Sequence, residues 1–347
     1  MGAIGCSRIV ERYLLAGAAC GALALAAPRA LAHHSPAAYD QETEITIEGT
    51  VVRYEWANPH VYVHLRDATD DARVWVIESN TPTSLRRSGW SATSLVVGER
   101  VSIVANPPAN RQRAVAFGRS VRKEDGAVLL MNARDGSVAA TAAVVSNGLS
   151  GVWETQPPAA DSPRFARNGF DLPLTEKGRA AASSFSEAAA YAVADCMPPT
   201  APALMQTPLD LKRIEISGTE VRIVSDYWWG TQRTVHLDRA THDGASPSLH
   251  GDSIGRWEAG VLVIDTALFA EYSMGVGRAV PSGARKRVVE RLAPAADGKS
   301  LTYSFVLEDP EYLSAPVSGD QQWVYRADAE LEPVPCDLES ARRFRQE

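Results

Sequence analysis

The sequence predicts a mainly β protein: a small closed barrel, followed by a second, antiparallel β-barrel or sandwich that carries one Ala-rich helix. Three observations predict this class. Short apolar runs have the period of two that suits strands. Turn signals containing glycine, asparagine or aspartate separate many of these runs. Only residues 175–194 combine an alanine-rich composition with a helix-capping start.

The composition is that of a soluble globular protein. The 347 residues are 45% hydrophobic and 22% charged, which excludes collagen, long coiled coils and bulk disorder. The formal net charge is −7. We therefore expect no nucleic-acid partner, because nucleic-acid binders usually carry a basic excess. At roughly 150 residues per domain, the length predicts two domains.

Residues 1–32 have the pattern of a secretory signal peptide. A basic start precedes the apolar run 14–27, and Ala30-Leu31-Ala32 is an A-x-A cleavage site. The run is shorter than the roughly 20 residues that a membrane-spanning helix needs. We expect cleavage after Ala32, a periplasmic or secreted protein, and no integral membrane segment after signal removal.

Cysteine usage predicts one disulfide. Cys6 and Cys20 lie in the predicted signal. Cys20 would allow a lipoprotein, but Gly17 stands where a large aliphatic residue is expected. The mature chain keeps Cys196 and Cys336, which most simply pair with each other in an oxidising compartment. Two buried free thiols are the alternative.

Residues 33–135 are predicted to form the first domain. A short helix starts at Thr81-Pro82, because Thr caps helices well and Pro suits the first turn. Three strands, this helix and two strands give the element order of an OB-fold, so the domain is OB-like. Residues 136–148 are the predicted linker. The five predicted strands are residues 45–54, 61–65, 74–78, 101–105 and 114–121.

Residues 149–347 are predicted to form a larger β domain. Its opening, Gly151-Val152-Trp153, resembles the start of lipocalin-like barrels, and the alternative is a structural Trp in a β-core. Short strands at close spacing predict a lipocalin-like antiparallel barrel or sandwich. The predicted strands are residues 214–216, 221–225, 234–237, 261–266, 287–292, 301–307 and 322–326.

Histidines crowd the start of the mature chain. Cleavage after Ala32 would make His33 the N-terminal residue, which offers an amine and an imidazole to one metal. A further imidazole, from His34, His60 or His64, completes a three-nitrogen set that suits Cu(II) better than zinc. His60 and His64 would share one face of a strand, so both could reach one metal together with His33 or His34. A strand-start hydrogen bond and a flexible tail are the alternatives, and no other cofactor is predicted.

Aromatic residues mark a candidate ligand site in the second domain. Tyr227-Trp228-Trp229 joins two predicted strands, and Arg256-Trp257 follows nearby in sequence. Trp and Tyr have apolar bodies with one polar handle, which suits a small-molecule pocket at a barrel mouth. A core cluster with a turn is the alternative.

The N-terminal region resembles a widespread group of small exported bacterial proteins of unknown function. The resemblance covers about residues 30–130 and implies a secreted OB-like module without implying an activity. The residues that carry it are Ala32-His33-His34-Ser35, Tyr39-Asp40, Gly49-Thr50-Val51, Glu55-Trp56-Ala57-Asn58-Pro59-His60 and Arg87-Ser88-Gly89-Trp90.

Residues 149–340 resemble a second group of uncharacterised exported bacterial proteins. The chain departs from that group at Asp252, where His is usual, which puts any role of that His in doubt. The residues that carry this resemblance are Gly251-Asp252-Ser253-Ile254-Gly255-Arg256-Trp257-Glu258, Val263-Ile264-Asp265-Thr266 and Glu308-Asp309-Pro310.

Catalytic signals are weak. Residues 251–255 fit Gly-x-Ser-x-Gly, but that motif needs a preceding strand, a following helix and a downstream His. A polar loop precedes it here, and no His follows His250. We therefore interpret the segment as a loop closed by glycines. Asp252, Glu258 and Asp265 are the acids available to an enzyme acting near Trp257.

We therefore expect an exported periplasmic binding protein for a small apolar or amphipathic ligand, without catalysis. The first alternative is a copper-binding protein that uses His33 with His60 or His64. The second is an enzyme acting at the Trp257 region. The identity of the ligand and any protein partners are not predicted.

Overall fold

The computed structural model describes residues 39–108, 113–131, 146, 148–157, 172–185, 195–277 and 279–343. The predicted signal peptide, His33, His34 and almost all of the predicted linker lie outside these residues. The described chain is mainly β, as predicted. Among the described residues, no helix has both the length and the apolar character to cross a membrane.

The first barrel contains the strands predicted from the sequence and one more. The strand order is β3-β2-β1-β4-β5-β6, and β3 also pairs with β5 in parallel, which closes the barrel. That closure and the helix between β3 and β4 are those of an OB-like barrel. The elements are β1 (Ile45–Glu55), β2 (Tyr62–Asp67), β3 (Val74–Glu78), α1 (Pro82–Arg86), β4 (Arg100–Asn106), β5 (Val115–Lys123) and β6 (Val128–Leu130).

Local chemistry explains two features of this barrel. The Thr81 side chain accepts a hydrogen bond from Ser84 N at 3.2 Å, and Pro82 occupies the first turn, so α1 starts as predicted. Gly49 lies in β1 because a Cβ there would be 2.1 Å from Arg66 O of β2. Strand alternation turns the apolar side chains inward, where Val51, Val63, Leu65, Ile77 and Ile103 are fully buried.

The second barrel is larger and also closed. Its nine strands follow the order β10-β11-β12-β15-β16-β17-β7-β8-β9. The strands are β7 (Gly151–Thr155), β8 (Leu211–Ser217), β9 (Glu220–Ser225), β10 (Thr231–His236), β11 (Asp252–Glu258), β12 (Val261–Ala267), β15 (Arg287–Pro294), β16 (Ser300–Glu308) and β17 (Val317–Tyr325). A separate hairpin, β13 (Tyr272–Gly277) with β14 (Val280–Ser282), and two helices, α2 (Glu176–Ser184) and α3 (Leu338–Arg342), complete the described elements.

Two details differ from the sequence interpretation. The barrel is not wholly antiparallel, because the long connection 237–251 brings β11 in parallel to β10. Residues 252–255 are not a loop but the start of β11. Gly255 is required there because a Cβ would lie 2.6 Å from Val235 Cγ1. The predicted Ala-rich helix is described as far as Ser184, and residues 186–194 lie outside the described residues.

Candidate functional site

A cleft on the first barrel is a candidate ligand site among the described residues. It encloses about 540 Å³, which is within the usual range for small-molecule sites. Its walls come from four places: the start of β1, the end of β2, strand β3 and the residues after β4. The lining residues are Ile45, Thr46, Ile47, Glu48, Asp67, Thr69, Trp75, Pro107 and Pro108.

Trp75 is held in place within this cleft. Its indole Nε1 donates to Asp67 Oδ2 at 2.9 Å, and Asp67 Oδ1 accepts from Thr69 N at 2.8 Å and from Thr69 Oγ1 at 2.7 Å. These hydrogen bonds, first from Thr69 and then from Trp75, lower the pKa of Asp67 to about 2. The cleft therefore combines a mixed apolar and polar lining with a fixed indole and an ionised carboxylate, which suits an amphipathic molecule.

The residues predicted to bind a ligand in the second domain do not meet in one place. Tyr227, Trp228 and Trp229 precede β10, whereas Arg256 and Trp257 lie near the end of β11. Val235 pairs with Ser253 in parallel register, so roughly 25 Å of strand separates the two groups. Trp257 is 45% exposed, and Arg256 pairs with Glu258 at 2.7 Å.

The Tyr227–Trp229 loop lies where the two barrels meet. The Trp228 and Trp229 rings stack 5.2 Å apart, and Trp228 Nε1 donates to Thr207 Oγ1 at 2.7 Å. The preceding Asp226 is fully buried and accepts from Arg86 at 2.8 Å and from Thr83 Oγ1 at 3.0 Å, both in the first barrel. Burial raises the pKa of Asp226 against the lowering effect of Arg86. The loop therefore joins the barrels.

Both described histidines of the predicted copper set have protein partners. His60 lies just before β2, and His64 lies within it. His60 Nδ1 lies 3.1 Å from Ser79 O, and His64 Nε2 contacts Glu55 Oε1. Four residues of strand span roughly 13 Å, so a single ion can take only one of these imidazoles. Within the described ranges, no three His, Cys, Asp or Glu residues form a metal-binding group.

The acids near the predicted enzyme site form ion pairs on the outside of the second barrel. Asp252 accepts from Arg239 at 2.6 Å and lies 2.7 Å from His242 Nδ1. Asp265 pairs with Arg287 at 2.8 Å. Ser253 is buried and contacts Thr266 Oγ1 at 2.9 Å inside the barrel. The Gly-x-Ser-x-Gly segment is thus part of a strand and has no nucleophile-elbow geometry.

Large aromatic and paired polar side chains fill the interior of the second barrel. Trp153, Tyr303 and Trp323 are all fully buried, and Tyr303 stacks on Trp323 with ring centroids 5.6 Å apart. Beside them lie two buried ion pairs, Lys212 with Asp210 at 2.5 Å and Arg233 with Glu290 at 2.7 Å. These described side chains occupy space that a lipocalin-like ligand would need.

Lys286 lies at one end of this interior, and its pKa predicts how the stability of the protein depends on pH. It is 1% exposed, and its Nζ donates to Thr200 Oγ1 at 2.7 Å and to Gly275 O. Burial lowers its pKa from 10.5 to about 7. Between pH 7 and about 10.5, the unfolded chain therefore binds more protons at Lys286 than the folded protein does. The charged Lys286 destabilises the folded state fully below pH 7, and this destabilisation fades as the pH rises.

We expect Lys286→Met to raise the free energy of unfolding at pH 7. The free energy of unfolding of this variant should also increase less between pH 7 and 10 than that of the wild type. Urea denaturation at several pH values measures both effects. Lys299→Met, on an exposed turn, is the control and should keep the wild-type pH dependence. Equal slopes in the two variants would contradict the assigned role of Lys286.

Residues 334–337 of the C-terminal segment bind to the Trp56-Ala57-Asn58-Pro59-His60 element of the first barrel. The predicted disulfide is present between Cys196 and Cys336, 140 residues apart. Next to Cys336, Asn58 Nδ2 donates to Val334 O at 2.7 Å, and Asp337 N donates to Asn58 O at 2.9 Å. Asn58 is 1% exposed. The element therefore fixes the C-terminal segment to the first barrel.

Comparisons with known proteins match only the N-terminal region. Residues 21–116 match the model of a family described as "Family of unknown function (DUF6152)". The match extends from the predicted signal into β5 and includes the Asn58 element, in agreement with the resemblance to an uncharacterised group. No curated protein and no solved structure matches the chain. The resemblance of residues 149–340 to a second group stays a prediction.

Proposed function

We propose that this protein is an exported, periplasmic or secreted, non-catalytic binding protein for a small apolar or amphipathic ligand. The cleft at Trp75 carries the proposal, because its volume, its mixed apolar and polar lining and its hydrogen-bonded indole suit such a molecule. The ligand site therefore lies on the first barrel, not on the aromatic loop of the second. The filled interior of the second barrel favours this location.

Binding of the neutral apolar dye Nile red tests the proposal. Thr46 is exposed and lines the cleft, so Thr46→Trp fills the cleft without removing a core contact. Burying an aromatic body contributes about 1.5–3 kcal/mol. We therefore expect Thr46→Trp to weaken dye binding at least about tenfold in a fluorescence titration.

Val306→Trp is the matched control, because it adds the same indole at a 40% exposed position of β16. It should bind the dye like wild type. Trp75→Ala, which opens the cleft, should also weaken binding. No dye binding by wild type, or wild-type affinity in Thr46→Trp, would contradict the proposal.

Copper binding is the second candidate, favoured by the partial exposure of His60 and His64, whose side chains are 25% and 15% exposed. A single Cu(II) would take the amine and imidazole of His33 with one of these two imidazoles. His64 would first have to leave Glu55. Electron paramagnetic resonance of the mature protein with Cu(II) should show nitrogen couplings that vanish when an extra residue precedes His33. Equal copper binding by the extended protein would rule out the N-terminal amine.

A further inference from the structure

Residues 334–343, here called the C-terminal latch, lie across the first barrel although they follow the last strand of the second. The backbone of Asn58 pairs with the latch on both sides, through Asn58 N to Pro335 O at 3.4 Å and Asp337 N to Asn58 O at 2.9 Å. The Asn58 side chain adds a third hydrogen bond, to Val334 O. This main-chain pairing is the kind that holds an extended peptide to a protein surface.

Arg343 holds the far end of the latch to the first barrel. Arg343 Nη2 donates to both carboxylate oxygens of Glu55, at 3.0 and 2.8 Å, and its guanidinium lies 4.4 Å from the Tyr62 ring. Burial alone would raise the pKa of Glu55, but hydrogen bonds from His64 and Arg343 lower it to about 2. The face formed by Glu55, Asn58, Tyr62 and His64 thus binds the extended residues 334–337 and, through Arg343, the end of α3.

The Cys196–Cys336 bond ties the middle of the latch to the second barrel. Both cysteines are partly exposed, so a reductant in solution can reach them. Cys196 has a φ of 56°, in the left-handed region that a residue with a Cβ disfavours. Breaking the bond removes the covalent tie to Cys196, so the latch is then held in place by noncovalent contacts.

Other contacts between the barrels do not involve the latch. Arg86 pairs with Asp226 at 2.8 Å, and Arg87 pairs with Glu154 at 3.1 Å. Neither pair depends on the disulfide. Loss of the latch would therefore expose one face of the first barrel while the two barrels stay together.

We propose that residues 334–343 are a redox-controlled latch that covers the Asn58 face of the first barrel while Cys196 and Cys336 are bonded and leaves it when they are reduced. The reductant is a dithiol. One of its thiolates attacks a sulfur of the disulfide, and its second thiol resolves the mixed disulfide. The dithiol becomes a disulfide, while two electrons and two protons convert the cysteines to thiols.

Hydrogen–deuterium exchange of the whole protein tests the latch. Reduction, verified by a mass gain of two hydrogens, should speed exchange of the amides of Asn58 and Asp337 at least about tenfold, because each donates a latch hydrogen bond. Amides between β1 and β4 and between β15 and β16 should keep their protection. The double variant Cys196→Ser with Cys336→Ser should show the same pattern without dithiol, and dithiol should add nothing.

Arg343→Ala is the matched control, because it removes the Glu55 pair while the disulfide stays intact. It should leave the amide of Asn58 protected. Three outcomes would overturn the proposal: unchanged protection of Asn58 and Asp337 after reduction, loss of protection throughout β15 and β16 as well, or release of Asn58 in oxidised Arg343→Ala.

Discussion

We expect Glu290→Gln to lower the free energy of unfolding by about 3–5 kcal/mol, because it leaves the buried guanidinium of Arg233 without a counter-charge. Glu290 is fully buried and Arg233 is 3% exposed. The two side chains form a bidentate pair at 3.0 and 2.7 Å, and Tyr303 OH also donates to Glu290 at 2.9 Å. Urea denaturation measures the change.

Two comparison variants separate charge from packing. Glu258→Gln breaks an exposed ion pair with Arg291 on the same barrel and should change stability little. Arg233→Met combined with Glu290→Gln removes the uncompensated charge, while the introduced amide oxygen can still accept from Tyr303. The double variant should therefore be more stable than Glu290→Gln alone. A loss below about 1 kcal/mol in Glu290→Gln would show that the pair is not buried as described.

Trp153→Ala should cost about 3–5 kcal/mol, the usual range for removing a large aromatic side chain from a core. Trp153 is fully buried, its ring centroid lies 5.1 Å from that of Tyr325, and its Nε1 donates to Leu149 O at 2.8 Å. Thermal or urea unfolding reports the loss.

Two comparison variants, one conservative and one at an exposed position, test whether the loss of stability comes from burial of Trp153. Trp153→Phe keeps an aromatic ring but leaves Leu149 O without its donor, so it should cost about 1–3 kcal/mol. Trp257→Ala, at a 45% exposed position, should cost much less than Trp153→Ala. Equal losses in Trp153→Ala and Trp257→Ala would exclude a core role for Trp153.

The sequence was sufficient for the fold class because strand alternation and turn chemistry are local signals. The OB-like order followed from five short runs and the Thr81-Pro82 helix start. Strand β11 was missed because Gly251 and Gly255 are typical of loops. Gly255 is required by close packing against Val235, a neighbour on another strand, and that contact is invisible in the local sequence.

The candidate site was predicted less well, for a physical reason. Aromatic composition drew attention to Tyr227-Trp228-Trp229, but a residue's exposure to a ligand depends on which barrels and loops pack against it. The Trp75 cleft combines the start of β1 with residues after β2 and β4. One local signal was available: Asp67-Ala68-Thr69 is a turn whose carboxylate accepts from Thr69 and fixes the nearby indole.

The Cys196–Cys336 bond also changes what cleavage of the chain can do. It encloses strands β8 to β17 in one covalent ring that runs from Cys196 to Cys336. A protease that cuts a single peptide bond inside this ring opens it but separates nothing, so both pieces remain one molecule. Only a second cut, or reduction of the bond, releases a fragment, so a single cut in an exposed loop between those strands leaves the two barrels covalently joined.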